Sequence, residues 1–101
     1  MPERQRLPYR REHEVLEFEH SGIIYTAGVG RFENGDVAEF FLHAHKHGTA
    51  VDVSARDAAI AASLLLQHGC HVDTLRKALT RNSDGSASGP LARALDLLAE
   101  L

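Results

Sequence analysis

A single cysteine, Cys70, occurs in the 101 residues of this chain. One thiol closes no internal disulfide, and its isolation fits a reducing cytosol. Long apolar runs are missing as well. The stretch AAIAASLLL, residues 58–66, falls far short of the ~20 residues a membrane-spanning helix needs. The N-terminus carries no apolar signal core, so the expectation is a cytoplasmic protein with no membrane contact. Positive charge is not in surplus either: 11 Lys and Arg against 14 Asp and Glu leave a net charge of −3. A nucleic-acid backbone is therefore not expected as a partner. The basic residues that do crowd together, Arg4, Arg6, Arg10 and Arg11 against Glu3 and Glu12, mark residues 1–12 as a flexible basic arm, with Leu7 and Tyr9 as its anchoring side chains. No internal repeat is present.

What remains, residues 13–101, is the length of one domain, and the chain as a whole has 44% hydrophobic and 25% charged residues, ordinary for a globular protein. The stretch ARDAAIAASLLLQHG, residues 55–69, predicts a central helix. Apolar residues run nearly all the way round it, the pattern of a helix covered on most sides by its own chain or by a partner. Ser54 and Asp57 approximate a capping box at its start, and His68 and Gly69 supply its end. Upstream, residues 14–20 alternate, with Leu16, Phe18 and His20 on one side and Val15, Glu17 and Glu19 on the other, as in a half-buried strand. Residues 23–32 read as a second strand, in which Gly28 and Gly30 suggest a bulge or a close backbone approach. Asn34-Gly35 predicts a type I′ turn into a third strand over residues 37–44. Downstream, Asp73 is a candidate N-cap of a second helix bearing Leu75 and Leu79. Pro90 opens a third, with Leu91, Leu95 and Leu98 on one face. The fold class is α+β: a three-stranded antiparallel meander followed by three helices, the first of them central and buried. Such a sheet is short of cover, so a homo-oligomer or a larger partner is expected.

Four constellations could carry chemistry. In HAHKH, His43, His45 and His47 share a face if the strand continues, and imidazoles at that spacing fit zinc or copper, with His20 as a further ligand from across the sheet. No cysteine or carboxylate follows at a spacing that completes four ligands, and exposed strand ends tolerate histidine without a ligand role. His68, Cys70 and His71 pose a reactive thiolate or a partial metal site against a plain buried thiol. In TRNSDGSASG, the loop before the third helix, Arg81, Ser86, Ser88 and Gly89 together with the helix N–H groups offer a site for phosphate or a nucleotide phosphate. The loop lacks the lysine and spacing of a P-loop, and a plain connector is the competing assignment. Arg56 and Asp57 suit an ion pair or cap with the sheet, with an Arg facing a phosphate as the alternative. No nucleophile–base pair supports a hydrolase.

The strings ARDAAIAASLLLQHG and TLRKALTRNSDGSASGPLARALDLL, preceded by IIYTAGVGRFENGDVAEFFLHAHKHGTAVD, resemble the TSCPD domain. That domain occurs at the C-terminal end of vitamin B12-dependent (class II) ribonucleotide reductases and as small stand-alone proteins. The resemblance runs over residues 14–101 as an extended pattern. The Thr-Ser-Cys-Pro-Asp string itself is absent, and no catalytic or cobalamin-binding residue carries over. Ribonucleotide reduction takes a radical-bearing cysteine, a reducing cysteine pair and a large barrel, none of which a chain with only Cys70 can supply. The resemblance thus implies a non-catalytic accessory or regulatory module linked to deoxyribonucleotide metabolism, with a reductase chain as partner. The alternative is a small metal-binding protein using His43, His45 and His47.

Overall fold

The computed structural model describes residues 13–45 and 49–100. The expected basic arm, residues 1–12, and His47 lie outside the described residues. Three strands, β1 (His13–His20), β2 (Ile23–Arg31) and β3 (Val37–Ala44), precede three helices, α1 (Ala50–Gln67), α2 (Val72–Ala78) and α3 (Pro90–Ala99). The sheet is an antiparallel meander in the order β1-β2-β3, as short connections require. Its inner face joins Phe18, Tyr25, Ala27, Val29, Phe40 and Leu42 to the buried sides of α1 and α3. Phe18 and Tyr25, paired across β1 and β2, stack with ring centroids 5.5 Å apart. The alternation read in β1 holds, since Phe18 is buried while Val15 is 70% exposed.

The β2–β3 hairpin forms at Asn34-Gly35, but its turn is not type I′. The Phe32 N–H donates to the Asp36 carbonyl at 2.8 Å and the Gly35 N–H to the Phe32 carbonyl at 2.9 Å. Only Gly35, at φ +92°, is left-handed; Asn34 is not. This is a three-residue loop, a type I turn closed by a left-handed glycine, and the Asn34 side chain favours it by accepting the Asp36 N–H at 3.0 Å. The expected close approach in β2 falls at Gly30. A Cβ there would stand 2.6 Å from a Glu39 carboxylate oxygen, and the register shifts between Gly30 and Arg31.

The helix starts differ from expectation in a consistent way. α1 begins at Ala50, capped by Thr49, whose hydroxyl accepts the Asp52 N–H at 3.2 Å; Ser54 lies inside the helix. Thr49 and Asp52 repeat the cap pattern five residues upstream of Ser54 and Asp57, and the longer helix brings Asp52 onto β3. α2 likewise starts earlier, with His71 at the N-cap position but no side-chain cap bond, and Asp73 falls in its first turn. α3 starts at Pro90 and buries Leu91, Leu95 and Leu98 as the spacing predicts.

α1 packs chiefly on β3, and it does so with polar as well as apolar side chains. Asp52 accepts the Ala44 N–H at 3.0 Å, Ser63 accepts the Phe40 N–H at 2.8 Å, and Gln67 donates to the Ala38 carbonyl at 3.1 Å. Backbone groups on an outer strand must find partners when buried. These three side chains satisfy the β3 edge, while Ala55, Ala59, Ala62 and Leu66 fill the layer beneath. The helix is therefore covered on one side only. Val53, Ile60, Leu64 and Leu65 point outward at 54%, 58%, 43% and 47% exposure. No helix among the described residues is long and apolar enough to cross a membrane.

Candidate functional site

The loop before α3 is built on the same turn as the β2–β3 hairpin. The Asn82 N–H donates to Ser86 and the Gly85 N–H to Asn82, at 2.8 and 2.9 Å, and Gly85 has φ +87°. Asp84 braces it by accepting the Ser86 N–H and hydroxyl, bonds that hold the Asp84 carboxyl below the usual carboxylate range. The Ser88 hydroxyl donates to the Asn82 side-chain oxygen at 2.8 Å. Arg81 is committed as well, its guanidinium forked onto the Asp96 carboxylate and the Arg76 carbonyl. Arg81, with Arg76 behind it, holds Asp96 below the ordinary range. Of the four residues proposed to hold an anion, Arg81, Ser86 and Ser88 thus have partners within the fold. Gly89 alone opens onto free backbone, as the N-cap of α3 with no side chain to cap it.

His43 and His45 lie on the outer face of the sheet, with Thr26 and Arg56, around a hollow of about 400 Å³. His45 Nε2 shares a hydrogen bond with Thr26 at 2.7 Å and lies 3.9 Å from Glu17. His43 Nδ1 is buried and has no hydrogen-bond partner among the described residues. Arg56 pairs with Asp52 one turn earlier, at 3.0 Å, the structural role expected of an ion pair beside the sheet. His20 does not join them. It belongs to the inner face, where its Nε2 lies 3.1 Å from the Ser88 carbonyl. Among the described residues no three His, Cys, Asp or Glu side chains are grouped to hold a metal ion.

At the end of α1, His68 Nδ1 lies 2.8 Å from the Leu64 carbonyl, the helix-terminal role the sequence suggests. Cys70 is half-buried and its thiol approaches the His71 carbonyl at 3.5 Å, not an imidazole that could activate it.

Two features escaped the sequence. One is the outward face of α1, apolar yet uncovered, with Phe41 of β3 at 44% exposure near Ile60. The other is a groove of about 570 Å³ between the first half of α1 and the start of α3, floored by Tyr25. Its walls come from four separated segments, so no local spacing announces it.

The fold and these surfaces define an α+β domain without an assembled catalytic group among the described residues. Over 78 residues it is 33% identical to the vitamin B12-dependent ribonucleotide reductase of Agrobacterium fabrum (strain C58 / ATCC 33970), covering 77% of this chain and 6% of that protein. Over 80 residues it is 32% identical to the enzyme of the same name from Bradyrhizobium diazoefficiens, covering 79% of this chain and 6% of that one. The chain therefore spans only a small fraction of the curated relatives it matches, and it is a ribonucleotide-reductase-related domain. No family model and no solved structure matches it.

Proposed function

We propose that this chain is a TSCPD-type accessory module that acts by docking onto a ribonucleotide reductase chain and carries no catalysis of its own. The similarity to a short segment of two vitamin B12-dependent reductases carries the proposal. In those proteins the corresponding segment has the rest of a long chain beside it. The outward face of α1 supports the same conclusion, because the exposed Val53, Ile60 and Leu64 recur at i, i+7 and i+11 along one side of a helix already anchored by its other side. Contiguous exposed apolar surface of this kind marks interaction sites. The non-catalytic part rests on chemistry. Ribose reduction needs more thiols than the one at Cys70, and that thiol has no activating base beside it. Capture of the tagged protein from its native cell, followed by identification of what accompanies it, tests the proposal. A reductase chain is the expected companion; its consistent absence rejects the docking role.

A further inference from the structure

The outer face of the sheet carries a pattern that is complementary to itself. The core joins the inner face to α1 and α3, whereas Val15 and Ile24 on the outer face are 70% and 44% exposed. Gly28 keeps the middle of that face flat, with the Phe41 ring lying over it; a Cβ there would stand 3.3 Å from the ring. The register sorts the outer side chains into rows across the three strands. Val15, Gly28 and Phe41 form one row, and Glu17, Thr26 and His43 the next. Glu19 and Ile24 begin a third, which His45 completes by donating its backbone N–H to the Ile24 carbonyl. The carboxylates thus stand on β1, and the N–H donors stand on the β3 side, where Arg56 joins His43 and His45 around the outer hollow. Neither side is spent within the chain. Arg56 gives its Nε to Asp52, and its Nη groups meet no acceptor among the described residues. Glu17, with its side chain 65% exposed, approaches His45 at 3.9 Å, too far for a hydrogen bond.

We propose that this face is the interface of a homodimer, two copies packing outer face to outer face about a two-fold axis parallel to β2. That axis lays β1 of each copy over β3 of the other. Glu17 and Glu19 of the second copy then meet the hollow of His43, His45 and Arg56, Val15 falls opposite Phe41, and Ile24 and Thr26 fall opposite themselves. A two-fold axis running across the strands would instead set β1 on β1 and carboxylate on carboxylate, which like charges disfavour. The charge pattern therefore selects both the occupant and its orientation. Sheets pack this way about 10 Å apart with their strands within about 30° of one another, and the flat centre at Gly28 admits that approach. The arrangement covers the open face of the sheet and does not rest on the reductase partnership, which uses the outward side of α1.

Sedimentation velocity of the full-length protein from micromolar to millimolar concentration tests it, with circular dichroism to check each variant's fold. The parent sediments as a monomer–dimer equilibrium. Glu19→Lys and His45→Glu, both at exposed positions, each weaken the dimer roughly tenfold or more by setting like charges together. The double variant Glu19→Lys/His45→Glu recovers association, because the same pairs re-form across the axis with their signs exchanged. Leu64→Asp, on the outward side of α1, dimerises as the parent does. Should His45→Glu fail to fold, Thr26→Arg makes the comparison, since it brings two like charges together on the axis and yields a monomer. A monomer at every concentration overturns the proposal, as does a dimer indifferent to Glu19→Lys or Thr26→Arg. Failure of the double variant to recover overturns the orientation and with it the proposal. Loss of the dimer in Leu64→Asp moves the interface to α1 and overturns it as well.

Discussion

Ser63 of α1 straddles Phe40 of β3: its hydroxyl oxygen accepts the Phe40 N–H at 2.8 Å and lies 3.1 Å from the Phe40 carbonyl. With Asp52 on Ala44 and Gln67 on Ala38, the helix acts as a substitute strand along the β3 edge. One sheet edge is therefore closed by side chains within the chain, and the helix that closes it turns a second, apolar side to solvent.

Ser63→Ala removes the acceptor from a buried edge amide. We expect a loss of about 1–3 kcal/mol, the desolvation cost of an unsatisfied backbone group, measured by urea unfolding. Hydrogen exchange of the Phe40 amide should accelerate beyond the global change. An unchanged midpoint would mean that water replaces the hydroxyl freely.

The two sides of α1 should respond oppositely to charge. Leu66→Asp places a carboxylate at a position 3% exposed and should unfold the domain, since an unpaired buried charge costs several kcal/mol. Leu64→Asp, at 43% exposure, should fold normally by circular dichroism. Unfolding of both would show that the outward face is core in the native state.

This contrast is also where the sequence was least informative. The strands, the meander order and the amphipathic α3 were legible because each follows a local period or turn residue. The uniform apolarity of residues 58–66 predicted cover on most sides of α1, but a helix bearing interaction surface on one side and core on the other has the same composition. Asp52, Ser63 and Gln67 are polar residues in a helical stretch, and nothing local says that they reach a strand edge. Of the site residues, Arg81 has the sequence context of a counter-charge for an anion; Asp96, its partner on α3, is fifteen residues away and gives no short-range signal. The Tyr25 groove needs four segments brought together and is visible only in three dimensions.

Gly35→Val should destabilise by about 1–3 kcal/mol, because a β-branched residue is strained in the left-handed region that Gly35 occupies at φ +92°. A Cβ there meets nothing within 4 Å, so the loss would be conformational and not steric. A thermal midpoint equal to the parent's would contradict the turn geometry.

Asp96 sets an acid limit to stability. Its folded-state pKa is lowered by the hydrogen bonds from Arg81 and then Arg76, below the ~3.9 of an unfolded aspartate. Its contribution is complete above that unfolded value and disappears as pH falls through the lower folded one. Asp96→Asn should be less stable at neutral pH and show a shallower decline on acidification, measured by urea midpoints from neutral pH downward. Parallel acid limbs would place the pH dependence elsewhere.

The docking role is tested most directly by calorimetric titration of this protein into a purified vitamin B12-dependent ribonucleotide reductase from the same cell, alongside Leu64→Asp and Ile60→Asp. The account predicts stoichiometric binding by the parent, with a negative heat-capacity change from apolar burial, lost in both variants although each remains folded. No heat of binding, or equal binding by the outward-face variants, would contradict it.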